Sequence, residues 1–207
     1  DNILKILYYF IFSILSSISL SQNYVENKNR MKAFEANDLP IIDGEVINDP
    51  AWKSILSASG FVQQSPDEGK SATEKTEVKI MFSDKNMYLA VICYHNDPEN
   101  IMILDARRDS PLDDMDSFIF IIDTFNDNQN GYAFGTNAAG IEYDAQITKG
   151  GEGGSMSRRF SAGAVGGYNI NWDASWSVKS LIGDFGWSAE FVICLLYTSP
   201  SPRDGFT

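Results

Sequence analysis

The sequence predicts an all-β protein, an antiparallel β-sandwich of immunoglobulin or jelly-roll type. Three observations carry that prediction. Thr76 to Phe82 alternates, with Val78, Ile80 and Phe82 on one side and Glu77, Lys79 and Met81 on the other. This is the period of a strand with one buried face. Further short runs rich in β-formers follow, separated by turn residues, the pattern of a sandwich. Only Asp49-Pro50-Ala51-Trp52-Lys53 has a helical start, with Asp49 as N-cap and Pro50 at the first helical position.

The elements follow in order. Ser83-Asp84-Lys85-Asn86 is a turn, and Met87 to Tyr94 is the strand that makes a hairpin with Thr76 to Phe82. Phe118 to Ile122 is a continuous apolar run, the composition of a central strand covered on both faces. Tyr132 to Thr136, Ile141 to Ile147, Ser175 to Lys179 and Trp187 to Ile193 supply the remaining strands. Asn126 to Gly131 and Asn137 to Gly140 are turn-rich connectors. Gly150 to Gly167 is rich in Gly and Ser and reads as a long surface loop. The last strand alternates, with Trp187, Ala189 and Phe191 on one side and Glu190 on the other.

The two ends differ in kind from the middle. Lys5, the apolar run Ile6 to Leu20 and Ser19-Leu20-Ser21 before Gln22 have the layout of an export signal over 1–21. That run is short for a bilayer span, which needs about 20 residues. Residues 22–36 read as a polar linker, and 37–193 as the domain. Residues 194–207, from Cys194-Leu195-Leu196-Tyr197-Thr198 onward, read as translated sequencing adapter.

Composition narrows the function. The formal net charge is −12, from 28 acidic and 16 basic side chains. Such a chain is poorly suited to nucleic acid or anionic membrane surfaces. With Cys93 and Cys194 as the two cysteines, there is no disulfide framework, and Cys93 reads as a buried thiol. His95 has no metal-ligand spacing around it. No nucleophile elbow and no nucleotide loop is present. Glycoside hydrolysis needs two carboxylates flanking one bond, and no spacing singles out a pair among Asp116, Asp144 and Glu190, so no catalytic residue is assigned.

Three ordered phrases carry a resemblance. They are Ile42-Asp43-Gly44 with Ala51-Trp52, Asp116-Ser117-Phe118 running to Asp123, and Gly186-Trp187 with Glu190. Phe61-Val62-Gln63-Gln64, Asp97-Pro98, Tyr132 to Asn137 and Asn171-Trp172-Asp173-Ala174-Ser175-Trp176 lie between them. Together they resemble a family 9 carbohydrate-binding module, of the divergent kind at the front of large exported bacterial proteins. The resemblance covers nearly all of Asn37 to Ile193 and implies a sandwich whose last strands lie beyond Ile193. In sugar-binding members a tryptophan precedes the Asp116 strand and stacks on the sugar; Pro111 to Met115 has none.

The implied function is binding of a polysaccharide or oligosaccharide by an exported, non-catalytic domain that serves carbohydrate catabolism. Trp172 and Trp176 are the candidate stacking residues, and Asp116 and Asn137 the candidates for hydrogen bonds to hydroxyls. Trp52 reads as core packing. Asp123 and Asp127, in an oxygen-rich turn, are the candidate ligands for Ca²⁺. An alternative makes the domain the periplasmic or surface head of an outer-membrane β-barrel protein without a sugar site, membrane-bound only through a following region. In another, it targets a glycoside hydrolase that acts on O-glycosyl bonds. The expected location is the periplasm, outer membrane or cell surface.

Overall fold

The computed structural model describes residues 31–151 and 167–195. By its contacts the chain divides into Asp1–Lys32 and Ala33–Thr207, and the second unit contains every element below. The expected export signal and most of the expected adapter segment lie outside the described residues, as does most of the expected Gly150–Gly167 loop. No helix among the described residues is long and apolar enough to cross a membrane.

The alternating runs form nine strands among the described residues. They are β1 (Phe34–Glu35), β2 (Thr76–Phe82), β3 (Asn86–Tyr94), β4 (Ser117–Ile122), β5 (Gly131–Asn137), β6 (Tyr143–Ile147), β7 (Tyr168–Asn169), β8 (Trp176–Gly183) and β9 (Gly186–Cys194). They build a five-stranded sheet, β1-β2-β3-β9-β8, and a four-stranded sheet, β4-β5-β6-β7. Every pairing is antiparallel except that of β1 with β2, which is parallel. β1 lies inside the stretch expected to be linker, so sheet structure starts before Asn37. At the other end β9 runs through Cys194, which pairs with Asn86, and Leu195 N donates to Lys85 O. These are backbone bonds, open to any residue but proline.

Aromatic rings join the inner faces of the two sheets. Phe191 of β9 meets Phe118 and Phe120 of β4 edge-on, and Trp176 of β8 stacks on it at 5.9 Å. Phe120 stacks on Phe134 of β5. Edge-to-face and offset pairs at such distances each add about 0.5–1.5 kcal/mol beyond area burial.

The run Phe118 to Ile122 is an edge strand, not a central one. Phe118 and Phe120 face the core, whereas Ile119 packs beside Leu112 and Tyr143, and Ile121 stays 62% exposed. The run is apolar on both sides because the loop before it, not another sheet, covers part of its outer face.

The five-stranded sheet is covered on its outer face as well. Val46, Trp52 and Ile55 from the N-terminal segment pack on Met81, Tyr88, Ala90 and Ile92. Met81 is therefore buried on the side expected to face solvent, and Phe82 is the more exposed of the two. Trp52 is fully buried in a single helical turn, Pro50–Lys53, whose N-cap Asp49 accepts from Ala51 N at 2.8 Å.

Glu190 ties this cover to the sheet. It is completely buried. Its Oε2 accepts from Asp43 N at 3.0 Å and Gly44 N at 2.8 Å, and its Oε1 accepts from Trp52 Nε1 at 2.6 Å. Ser188 Oγ donates to Gly44 O at 2.6 Å. Gly44 has φ +95°, and a Cβ there would sit 2.5 Å from the backbone carbon of Ser180. Only glycine combines that conformation with so close an approach.

Candidate ligand site around Arg108 and Trp172

The candidate residues fall in three places. Trp172 and Trp176 come together around Phe134. Trp172 stacks on Tyr132 at 4.3 Å and meets Phe134 edge-on, and Trp176 meets Phe134 edge-on at 5.2 Å. Both tryptophans are half-buried. Trp176 is the more committed to packing, lying between Phe134 and Phe191.

Asp116 and Asn137 form a separate clamp at the meeting ends of β4 and β5. Asp116 Oδ2 accepts from Met102 N at 2.6 Å, and its backbone N–H donates to Met102 O. Asn137 is fully buried; its Nδ2 donates to Asp105 O at 2.7 Å and its Oδ1 accepts from Ala139 N at 3.0 Å. Both side chains fix the segment that leads into β4.

Asp123 and Asp127 lie in the β4–β5 hairpin connection. Asp123 accepts from the backbone N–H groups of Phe125, Asp127 and Asn128, and Asp127 from those of Gln129 and Asn130. Asn126 and Asn128 adopt positive φ, which asparagine tolerates better than most residues. The carboxylates thus shape the turn. Among the described residues no group of three or more His, Cys, Asp or Glu side chains is placed to hold a metal ion.

The densest polar cluster centres on Arg108. Its guanidinium bonds Glu142 Oε2 at 2.6 Å, Asp144 Oδ1 at 3.1 Å and Asp173 Oδ1 at 2.5 Å, and its Nε lies 3.4 Å from Asp109. β6 places Asp144 opposite Phe134, on the inner face of the sheet. The Asp144 side chain is almost wholly buried, and its Oδ2 accepts from Ala174 N at 2.9 Å. Burial raises its pKa above the ordinary carboxylate value, against the pull of the Ala174 N–H and the Arg108 charge. Burial works against the charge on Arg108, but the fields of Asp144, Asp173, Asp109 and Glu142 outweigh it and raise its pKa. The Trp176 indole N–H favours the charge on Asp144 without meeting hydrogen-bond geometry.

This cluster adjoins the aromatic one. Asp173, which holds Arg108, is the next residue after Trp172. Asp109 adopts φ +58°, and its Oδ1 is buried with no hydrogen-bond partner. A buried oxygen without a donor is uncommon and costly. The arrangement therefore places a guanidinium and several carboxylates next to a half-buried indole.

Glu142, Asp144, Asp173 and Arg108 escaped the sequence reading as site residues. One signal was present. Glu142 and Asp144 stand two apart at the start of a strand, hence on one face, and two acids on a half-buried face call for a cation.

No protein-family profile and no curated protein matches the sequence. Solved structures do match. One is a family 9 carbohydrate-binding module from Caldicellulosiruptor kristjanssonii in complex with glucose, 16% identical, with TM-score 0.51 over 83% of this chain and 72% of that one. Another is a family 9 module from the same organism in complex with cellotriose, 16% identical, with TM-score 0.50 over 81% of this chain and 69% of that one. The fold is a divergent family 9 carbohydrate-binding-module fold. The β-sandwich expected from the alternating runs is the observed architecture. In the segment before β4 the chain places Leu112, 3% exposed and packed with Ile141 and Tyr143.

Proposed function

We propose that this domain binds carbohydrate without transforming it, and that its sugar site is the surface around Arg108 and Trp172. One observation carries the reading. A guanidinium held by Asp109, Glu142, Asp144 and Asp173 lies beside a half-buried indole, in a fold similar to that of modules solved with glucose and cellotriose. Sugar recognition needs donors and acceptors at fixed spacing for neighbouring hydroxyls, and an aromatic face for the C–H side of the ring. Arg108 supplies donors, Asp173 supplies acceptors at the surface, and Trp172 supplies the ring. Asp144 and Tyr132 orient these groups from beneath. Trp176 packs beneath Trp172 through Phe134, while Asp116 and Asn137 fix the segment that leads into β4.

The signal-like first residues make the domain part of an exported protein, in the periplasm, outer membrane or at the cell surface, engaged in polysaccharide use. The lack of a tryptophan in Pro111 to Met115 favours a second reading, a head domain on an outer-membrane protein with no sugar site. Isothermal titration with glucose, cello-oligosaccharides and a broad glycan panel separates the two. Saturable binding lost in Arg108→Ala and Trp172→Ala supports the sugar site. No binding across the panel by the folded wild-type protein sinks it.

A further inference from the structure

Trp172 sits on a stretch of chain that is in neither helix nor strand. Residues 170–175 join β7 to β8. The Trp172 ring rests on Tyr132 at 4.3 Å and meets Phe134 edge-on at 6.1 Å. Aromatic contacts tolerate a range of offsets and tilts, so they do not by themselves fix one placement. The two residues after Trp172 are held by directional bonds instead. Asp173 Oδ1 bonds Arg108 Nη2 at 2.5 Å, and Ala174 N donates to Asp144 Oδ2 at 2.9 Å.

Both bonds lead back to one carboxylate. Asp144 Oδ1 accepts from the same Arg108 Nη2 at 3.1 Å. Asp144 therefore reaches the Trp172 segment twice, directly through Ala174 N and again through Arg108 and Asp173. It also pairs across the ladder with Phe134, whose ring Trp172 meets. Its side chain is 1% exposed, whereas those of Asp109, Glu142 and Asp173 are 39%, 29% and 76% exposed. Of the four carboxylates around Arg108, Asp144 is thus the one anchored in the sandwich interior.

Loss of its charge undoes this arrangement. An ionised carboxylate accepts through both oxygens, and so serves Arg108 and Ala174 N together; a protonated one turns an O–H donor toward one of them. Among the described residues, Asp144 is faced by Arg108 and Asp109 from the loop before β4, by Asp173 and the Ala174 N–H from the segment after Trp172, and by the Trp176 indole from β8, with Glu142 across Arg108. Burial works against the charge on Arg108, but the four carboxylate fields outweigh it, so Arg108 stays charged while Asp144 titrates. Burial raises the Asp144 pKa above its ordinary 3.8, so its proton arrives at milder acidity than on an exposed aspartate. Arg108 then keeps its more exposed partners and is free to move with Asp173.

We infer that Asp144 is the positioning residue of Trp172: its ionised carboxylate pins the segment that carries the ring, and uptake of a proton lets segment and ring leave their place. The effect on binding rests on the sugar reading; the pin itself does not. The test uses the full chain with 5-fluorotryptophan at positions 52, 172, 176 and 187, the Trp172 fluorine resonance being assigned by its absence from Trp172→Phe. That resonance should move as pH falls from 8 to 4, while that of Trp187, in the other sheet, stays in place, which separates release of the segment from unfolding. In Asp144→Asn it should stand at its low-pH position already at pH 8 and lose the response. Glycan affinity should fall at least about tenfold over the same range in the wild type, and be equally weak at both ends in Asp144→Asn. Should Asp144→Asn not fold, the wild-type transition should persist in Asp109→Asn, Glu142→Gln and Asp173→Asn made singly, which leaves Asp144 as the group that titrates. A Trp172 resonance indifferent to pH overturns the inference. So does an unchanged response in Asp144→Asn, or its loss on replacing one of the other three carboxylates. The fluorine readout needs no ligand, so absence of glycan binding sinks the sugar reading alone.

Discussion

Glu190 offers the sharpest test of how this fold is held. Replacement by alanine leaves three N–H donors without an acceptor: Trp52 Nε1 and Gly44 N, which are buried, and Asp43 N, which is partly so. A buried donor left unpaired costs about 1–3 kcal/mol. Two buried donors and part of a third amount to about 3–5 kcal/mol, a large share of the roughly 5–15 kcal/mol that holds a typical domain together. Glutamine keeps one acceptor oxygen but turns an amide N–H toward a donor, so Glu190→Gln should cost about 2–3 kcal/mol. Trp52→Phe isolates the indole bond. In a double-mutant cycle with Glu190→Gln the coupling should be about 1.5–3 kcal/mol, the range for hydrogen bonds to a charged group. Urea unfolding followed by tryptophan fluorescence and far-ultraviolet circular dichroism measures each corner. A cost for Glu190→Ala below about 1 kcal/mol, or a coupling within about 0.5 kcal/mol of zero, would refute the knot as a stabilising element.

The pH dependence of that cycle has a definite sign. Burial raises the Glu190 pKa above its ordinary 4.5, outweighing the Trp52, Gly44 and Asp43 donors. The native state therefore holds the proton more tightly than the unfolded chain. Stability from this group is greatest at low pH and falls as pH rises from about 4.5 through the raised value, then levels. Glutamine does not titrate. The stability gap between wild type and Glu190→Gln should thus be wider near pH 4 than at pH 8. A gap that widens toward alkaline pH contradicts the assignment.

Other expectations concern separate parts of the molecule. Arg108→Met leaves Asp144 buried without its counter-charge; because Arg108 itself is part-exposed, the cost in urea unfolding should be about 1–3 kcal/mol, with sugar binding lost in titration calorimetry. Gly44→Ala forces a side chain into positive φ against the Ser180 backbone, and should lower stability in the same assay by at least about 1–3 kcal/mol. The Cys93 thiol, pushed up to about 12 by burial, should resist Ellman's reagent at pH 8 in a Cys194→Ser background, then react fully in denaturant; fast labelling of the native protein would show that β3 opens.

The strands were legible because their period is local. Thr76–Phe82 and its hairpin partner could be read residue by residue, since side chains two apart share a face whatever the partner. The burial of each face was less legible, because it depends on what lies above it. Met81 and Glu190 sit on a face that alternation alone gives to solvent, and the N-terminal segment reverses that by folding over it. Phe118–Ile122 erred the other way: a loop covers part of its outer side, so its composition imitates a central strand. Trp172 was visible as an aromatic beside polar residues. Arg108 was not, because its four carboxylate neighbours come from its own loop, the start of β6 and the segment after Trp172, and no spacing in the chain joins them.

Two of the three phrases that carry the family resemblance share one physical cause. Asp43-Gly44, Trp52 and Glu190 are far apart in sequence, yet all converge on a single buried carboxylate. A buried charge satisfied by three donors cannot lose any one of them cheaply, so the residues must change together or not at all. Such a set reports how the strap is fastened to the sheet and carries no information about a ligand. Leu112, in the segment before β4, packs with Ile141 and Tyr143 and takes no part in that knot. On the proposed reading, fold and binding are specified by different residues in this domain. A search for its ligand should vary Arg108, Asp109, Trp172 and Asp173, and should leave the Glu190 knot intact so that loss of binding is not mistaken for loss of structure.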